Sequence, residues 1–240
     1  MSESEGQEIG RRLEGQTSFD MELTALRRRI VREASMAIDM LESALAALWD
    51  LDDVAAKAVR KRDDRVDREE VEIEAECFRL LALQQPFGGE LRQIAFCIKA
   101  NVDIERVADH ASSIAKLAIK IGKPAPSWPT SLIEMGERVP LMCHSLLRAV
   151  LDEDVEAARD VIAGDKVIDR LDGRLFDDVL AMFDLEPDRK ADVLLIHRTG
   201  RELERVGDLM VNIAEDVVYL VTGEIVRHAK KLNRDSGSTT

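Results

Sequence analysis

Apolar residues recur every three or four positions along most of the chain, which is the spacing of α-helices that bury one face. Two stretches show the stripe most clearly: Ile104, Val107, Ala111, Ile114, Ala118 and Ile121, and then Leu203, Val206, Met210, Ile213, Val217 and Leu220. A helix of about 30 residues is about 45 Å long, so each stripe predicts a long helix that packs against its neighbours at a shallow angle. Strand-length runs of β-branched residues are rare. The pattern predicts an all-α fold.

Gly and Pro interrupt this pattern at a few places and predict six long helices. The expected helices cover residues 21–49, 52–84, 90–121, 131–151, 154–183 and 188–222. The Pro-rich stretch after the third helix is the expected linker. We therefore predict a disordered N-terminal segment (1–20), a first three-helix unit (21–122), a Pro-rich linker (123–130), a second three-helix unit (131–229) and a disordered tail (230–240).

The two units repeat each other in sequence. Ile104-Glu-Arg-Val-Ala-Asp109 in the third helix matches Leu203-Glu-Arg-Val-Gly-Asp208 in the sixth. In the preceding helices, Asp63, Val66, Asp67 and Glu70 match Asp165, Ile168, Asp169 and Asp172. Because acidic and apolar positions both recur, the sequence predicts two tandem, pseudo-symmetric three-helix bundles.

Acidic residues are paired at a spacing of one helical turn in both units. Glu105 and Asp109, and likewise Glu204 and Asp208, are four residues apart and fall on one helix face, opposite the apolar stripe and towards solvent. Their carboxylates are expected about 5–6 Å apart, a like-charge spacing that destabilises an isolated helix. The preceding helices add Asp63 with Asp67 and Asp165 with Asp169 at the same spacing.

If adjacent helices pack antiparallel, each unit brings four carboxylates together. Such a cluster suits hard or borderline divalent cations such as Mg²⁺, Mn²⁺ or Fe. The alternative is that these acids are ordinary solvated helix faces, since one E-x-x-x-D spacing is common. Because the acidic pairs are duplicated at matched positions, the metal site and the solvated helix face become more nearly equal alternatives, and the spacing does not decide between them.

Composition narrows the possible functions. The net charge of −13 disfavours a nucleic-acid partner, which needs a basic surface, and favours cations or basic protein surfaces. The three cysteines are widely separated and are expected to be buried thiols in a reducing compartment. With no signal peptide and no window long and apolar enough to span a membrane, we expect a soluble cytoplasmic protein.

An enzyme of the di-iron carboxylate class is the rival from another function class. Its sites typically take Glu-x-x-His from two helices and point inward. No histidine of this chain has Glu three positions before it, so no catalytic residue and no enzyme activity are expected. A metal-independent helical adaptor, whose acids dock basic surfaces of partner proteins, stays open as a second alternative.

At these same residues the sequence resembles the PhoU family of accessory regulators of phosphate-specific transport. The resemblance covers about residues 20 to 229 and rests on the two E/D-x-x-x-D motifs, on Leu83-Gln-Gln-Pro86, and on Val221-Thr-Gly-Glu-Ile-Val-Arg-His228 after Asn212-Ile-Ala-Glu-Asp216. It implies a pair of three-helix bundles. It further implies a negative regulator between a phosphate ABC transporter and a sensor histidine kinase, at the cytoplasmic membrane face. Because long exposed bundles often self-associate, we also expect a homodimer or other homo-oligomer.

The resemblance also implies divalent metal, whether Fe, Mg, Mn or Zn, on the acidic motifs. Carried over by position, the metal residues are Asp63, Asp67, Glu105, Asp109, Asp165, Asp169, Glu204 and Asp208. Asn212 continues the acidic face of the second unit and is a further candidate, whereas the first unit has Ser113 at the matching position. The first unit in turn has Asn101 where the second has Gly200. From these departures we expect the first cluster to hold metal less well than the second.

Overall fold

The structure is a computed structural model, which describes residues 3–124 and 126–226, with side chains from residue 18 onwards. Six α-helices make up the fold, as predicted, and the described residues contain no β-strand. The helices are α1 (Glu3–Asp50), α2 (Asp53–Gln84), α3 (Gly89–Lys120), α4 (Thr130–Asp152), α5 (Val155–Leu185) and α6 (Lys190–Thr222), with a 3₁₀ turn at Pro187–Arg189 before α6. No helix among the described residues is long and apolar enough to cross a membrane.

The N-terminal boundary differs from the prediction. The first helix begins at Glu3 rather than near Met21, so most of the segment expected to be disordered (1–20) belongs to α1. The apolar stripe of α1 explains part of this difference, because Phe19 and Leu23 are buried and continue the spacing of Leu26 and Ile30. Met1 and Ser2 lie outside the described residues, as does the tail 230–240 that was predicted to be disordered.

The internal repeat is visible in the turns that start the middle helix of each half. The side chain of Asp52 accepts hydrogen bonds from the backbone N–H groups of Val54 and Ala55, at 2.8 and 3.0 Å. Asp154 caps α5 in the same way, accepting from Glu156 and Ala157, both at 3.0 Å. These N-caps fix where α2 and α5 begin, and hence where their acidic residues lie along the bundle.

Helices α3 and α6 lie side by side and antiparallel at the junction of the two halves. Lys99, near the start of α3, pairs with Asp216 near the end of α6, and His110 pairs with Glu202 further along. Helix α1 packs against α2 and α3 and also touches α4, and the buried apolar residues of both halves form one continuous core. The two bundles are therefore joined along their length rather than only through the linker.

Two glycines allow close helix packing in the second half. A Cβ atom on Gly136 would lie 2.7 Å from a ring carbon of Trp49, so this glycine lets α4 approach the end of α1. A Cβ atom on Gly200 would lie 2.0 Å from a methyl carbon of Leu175, which places α5 tightly against α6. Leu175 is fully buried, and it fills the space beside α6 that a larger residue at position 200 would need.

Candidate functional site

Helices α2 and α3 bring the predicted acids of the first half together. Asp63 and Glu105 are half-buried between the helices, whereas Asp67 and Asp109 are exposed. The charge of Glu105 interacts with those of all three other predicted acids. The four predicted acids of this half thus lie within electrostatic range of Glu105, which faces α2 rather than open solvent.

The electrostatics of this first cluster are unfavourable to four ionised groups. Burial, followed by the charges of Asp109, Asp67 and the neighbouring Glu70, raises the pKa of Glu105 to about 7. Burial also raises the pKa of Asp63, although a hydrogen bond with Ser112 opposes the shift. One carboxylate oxygen of Asp63, Oδ1, is buried and has no hydrogen-bond partner. A cation beside these groups would supply the missing partner.

The second half has the same arrangement on α5 and α6. Asp165 and Glu204 are half-buried, and Asp169 and Asp208 are exposed. Burial, together with the charges of Asp169, Asp208 and Glu204, raises the pKa of Asp165 to about 6. Burial and neighbouring carboxylates also raise the pKa values of Glu204 and Asp208. The repeat thus reproduces the burial and the charge repulsion of the motif as well as its sequence.

The second cluster contains an internal cation. The guanidinium of Arg201 donates to Asp172 at 2.8 Å and lies 3.4 Å from Glu204. Its charge lowers the pKa values of Glu204 and Asp208, against the larger effect of burial. The motif alignment places Val102 at the position of Arg201 in the first half.

Comparison with known proteins decides the family. The model of the PhoU domain matches the chain twice, over residues 30–118 and 132–217. This chain belongs to the PhoU family. Each PhoU domain contains one of the two acidic clusters, so the repeat deduced from the motifs is the repeat of the family domain.

Individual relatives agree over most of the chain. The phosphate-specific transport system accessory protein PhoU homolog of Pseudomonas aeruginosa is 34% identical, over 88% of each chain. The homolog of Clostridium acetobutylicum is 31% identical, over 87% of this chain and 96% of the relative. The crystal structure of PhoU from Pseudomonas aeruginosa superposes with a TM-score of 0.83 at 33% identity, covering 86% of this chain and all of that one. The phosphate transport system regulatory protein PhoU from Streptococcus pneumoniae gives 0.81 at 27% identity, over 87% and 99%.

The donor chemistry of the two clusters fits a hard divalent cation, because every predicted ligand is a carboxylate. The buried oxygen Asp63 Oδ1 in the first PhoU domain has no hydrogen bond and also suits a bound cation, whereas Glu204 Oε2 in the second lies 3.4 Å from the guanidinium of Arg201. As the side chains stand, however, no three His, Cys, Asp or Glu residues in the described chain form a group that could hold a metal. Carboxylates would have to turn to close around an ion, and the eight metal ligands stay a prediction.

Several residues of the clusters were not selected from the sequence. Glu70 and Asp172 appear in the repeat alignment, one turn beyond Asp67 and Asp169, which was the available signal. Arg201 gave no signal, because its contact with Asp172 joins two helices. Asn212, the further candidate, lies one turn after Asp208 on α6 and is half-buried.

The structure also shows the surroundings of histidines and cysteines that the sequence analysis considered. His110 and His144 pair with glutamates, and the ring of His197 packs edge-on against Phe176 at 6.0 Å. His228 lies outside the described residues. Cys77, Cys97 and Cys143 are free and buried, as expected.

We expect the metal-free protein to lose stability as the pH rises from about 4.5 to about 7. The raised pKa values of Glu105 (about 7) and Asp165 (about 6) mean that the folded state binds more protons than the unfolded state in this interval. Thermal unfolding in chelator at pH 5 and pH 8 measures the effect, and Glu105→Gln should reduce it. A melting temperature that rises steadily over this interval and is unaffected by Glu105→Gln would contradict the proposed charge repulsion.

Proposed function

We propose that this protein is a negative regulator of phosphate uptake and of the phosphate-starvation response, and that it bridges a phosphate ABC transporter and a sensor histidine kinase. The observation that carries the proposal is the pair of PhoU domains, each with its acidic cluster. The names of the relatives, as accessory or regulatory proteins of phosphate transport, give the system in which it acts.

The proposed regulator works in the cytoplasm as a homo-oligomer and reaches the membrane through its partners. Its surface supports protein partners rather than nucleic acid, because the net charge is −13. The regulatory character of the family argues against an enzyme.

Divalent metal is the proposed cofactor of the two acidic clusters. In the first cluster Asp63, Asp67, Glu105 and Asp109 would hold it, and in the second Asp165, Asp169, Glu204 and Asp208. A bound cation, whether Mg, Mn, Fe or Zn, supplies positive charge that offsets the repulsion among these carboxylates. The metal-bound carboxylates would link α2 to α3 and α5 to α6. With the cation bound, each cluster would present a less negative surface to partner proteins.

A metal-independent adaptor is the second candidate, and the exposure of four acids favours it. Asp67, Asp109, Asp169 and Asp208 are open to solvent and could pair directly with basic groups of a partner. The internal cation Arg201 already offsets part of the charge of the second cluster. Binding of purified partner domains in chelator separates the two mechanisms, because only the adaptor keeps its affinity there.

Deletion of the gene in its own host tests the regulatory role. In high phosphate, we expect a phosphate-starvation reporter to rise to its starved level in the deletion strain and to return to baseline when the wild-type gene is restored. The Asp109→Ala/Asp208→Ala variant should fail to restore repression. The control Asp50→Ala/Glu156→Ala, which removes one exposed acid from each half outside the clusters, should restore it. Full repression in the deletion strain, with no other phosphate defect, would refute the proposal.

A further inference from the structure

A groove lies on the surface of the second bundle, between α4 and α5. Its buried and half-buried lining is apolar, from Met142, Val161 and Ile168, and the exposed residues Ser145 and Asp160 add polar groups. The volume of this α4–α5 groove is about 240 Å³, far above the roughly 10–15 Å³ that one water molecule requires. The groove therefore has room for a side chain.

The internal repeat shows which surface of the first bundle is equivalent to this groove. The PhoU domain begins at residue 30 in one match and at residue 132 in the other. The turns between the first two helices of each half keep the same register, because Leu51 and Glu153 are both left-handed, with φ of 49° and 53°. Helices α1 and α2 thus align with α4 and α5 without a gap.

In the first bundle, an arginine of the chain itself occupies this position. Arg62 on α2 forms an ion pair with Asp39 on α1, and its guanidinium lies 3.4 Å from the hydroxyl oxygen of Ser43. The methylene stem of an arginine can cover apolar surface while its guanidinium stays hydrated. An arginine side chain is therefore suited to a groove of this kind, with an apolar lining and polar groups at its edge.

The second bundle lacks this arginine. Gly164 stands at the position of Arg62, and a Cβ atom on Gly164 would meet no atom within 4 Å. Met142 is only half-buried, whereas its counterpart Met40 is fully buried. Ser145 keeps the serine of the first bundle. The repeat thus fills this position from within in one bundle and leaves it open in the other.

The charges of the open groove favour a cationic occupant. Leu141 takes the position of Asp39, so the carboxylate of the open groove comes from Asp160 on α5 instead. Asp160 forms no ion pair within the part of the chain that the structure describes. Arg138, which also lines the groove, already pairs with Glu134 at 2.8 Å. The net charge of −13 attracts basic partners to the surface as a whole.

We propose that the α4–α5 groove binds one arginine side chain of a partner protein, with its guanidinium at Asp160 and Ser145 and its methylene stem over Met142. The partner would supply in the second bundle what Arg62 supplies within the first. A guanidinium suits the site better than an ammonium, because its planar fork can donate to a carboxylate and a hydroxyl together. The acidic cluster of this bundle is formed by α5 and α6, so the groove is a separate surface and needs no metal.

An NMR titration of the full chain, labelled at its methionine methyl groups, tests the groove with Nα-acetyl-L-arginine methylamide as the probe. The probe should shift the methyl signal of Met142 in a saturable way and leave that of Met40 unchanged. Gly164→Arg supplies the arginine from within the chain and should abolish the shift. Asp160→Asn should raise the Kd of the probe by about fivefold, as expected for an exposed charged pair. The control Ala163→Arg adds the same side chain at the exposed neighbouring position and should bind like the wild type.

The titration can also contradict the proposal. Nα-acetyl-L-leucine methylamide is the apolar comparison, and tighter binding of this probe would assign the groove to an apolar anchor instead of an arginine. The absence of a shift at Met142, or an equal shift in Gly164→Arg, would overturn the groove as a binding site.

Thermal unfolding shows independently whether an arginine fits the groove. Gly164→Ala and Gly164→Arg should both melt at a higher temperature than the wild type, because glycine is unfavourable inside a helix. Gly164→Arg should melt higher than Gly164→Ala, since its side chain gains the contacts of the groove. A Gly164→Arg variant that melts below Gly164→Ala would show that the groove does not accept this side chain.

A repression assay in the host connects the groove with regulation, and this part rests on the proposed function. In the deletion strain, Gly164→Ala and Ala163→Arg should restore repression of the phosphate-starvation reporter, whereas the stably folded Gly164→Arg should not. Full repression by Gly164→Arg would overturn the docking of a regulatory partner at the groove. A deletion strain that stays repressed would refute the proposed function instead, and the NMR titration would still decide whether the groove binds arginine.

Discussion

Replacement of His110 by leucine is expected to lower the free energy of unfolding by about 3 kcal/mol. The Nδ1 atom of His110 lies 2.7 Å from Glu202 Oε2, and their side chains are only 13% and 7% exposed. Although burial opposes it, the hydrogen bond with His110 and nearby positive charges keep the pKa of Glu202 below its usual value. The carboxylate is therefore ionised, and His110 donates the hydrogen bond.

The loss is large because His110 supplies a short hydrogen bond to Glu202 that the more distant Arg198 does not replace. In His110→Leu, Glu202 stays in the contact between α3 and α6, and Arg198 lies at 3.6 Å on the same helix. Removing one member of a buried charged pair leaves the other without compensation for its lost hydration. Because this pair joins the two PhoU domains, the change should weaken their junction rather than one bundle alone.

A second histidine provides a matched control. His144 Nε2 lies 2.8 Å from Glu42 Oε1 and also links the two halves, but these side chains are 51% and 46% exposed. His144→Leu should therefore change the free energy of unfolding by less than about 1 kcal/mol. Urea unfolding, followed by circular dichroism and by the fluorescence of Trp49 and Trp128, measures both variants. Equal losses would contradict the importance of burial at the α3–α6 junction.

The repeat and the helices could be predicted because their signals are local. A stripe with helical spacing, such as that from Ile104 to Ile121, depends only on residues a turn apart, and breaks at Gly and Pro mark its ends. The family match over residues 30–118 and 132–217 is the same repeat seen by comparison. The start of α1 was placed too late because an acidic, Gly-containing segment has the composition of a disordered one, although the buried Phe19 continues the apolar stripe of the helix.

The acidic clusters could be predicted only in part. Pairs such as Glu105 with Asp109 share a helix, so their common face follows from spacing. Their burial does not, because it depends on how closely the neighbouring helix packs. Arg201 contacts Asp172 across helices, and no spacing within one helix indicates such a contact.

Loss of both exposed motif aspartates is expected to remove metal from the acidic clusters while the fold is preserved. Asp109 and Asp208 are exposed, so Asp109→Ala/Asp208→Ala creates no cavity in the core. It removes one proposed carboxylate ligand from each cluster, together with a source of like-charge repulsion. The double variant should therefore fold as well as the wild type.

The metal content of these proteins tests metal binding by the duplicated motifs most directly. The wild type, Asp109→Ala/Asp208→Ala and the control Asp50→Ala/Glu156→Ala would be purified without chelator or a nickel column, and their metals would be quantified by mass spectrometry. Circular dichroism would verify that all three are folded. We predict stoichiometric divalent metal in the wild type and the control, and its loss or marked reduction in the motif variant. Equal metal content in all three, or no metal in any, would contradict metal binding at these motifs and favour direct docking of partners by the acids.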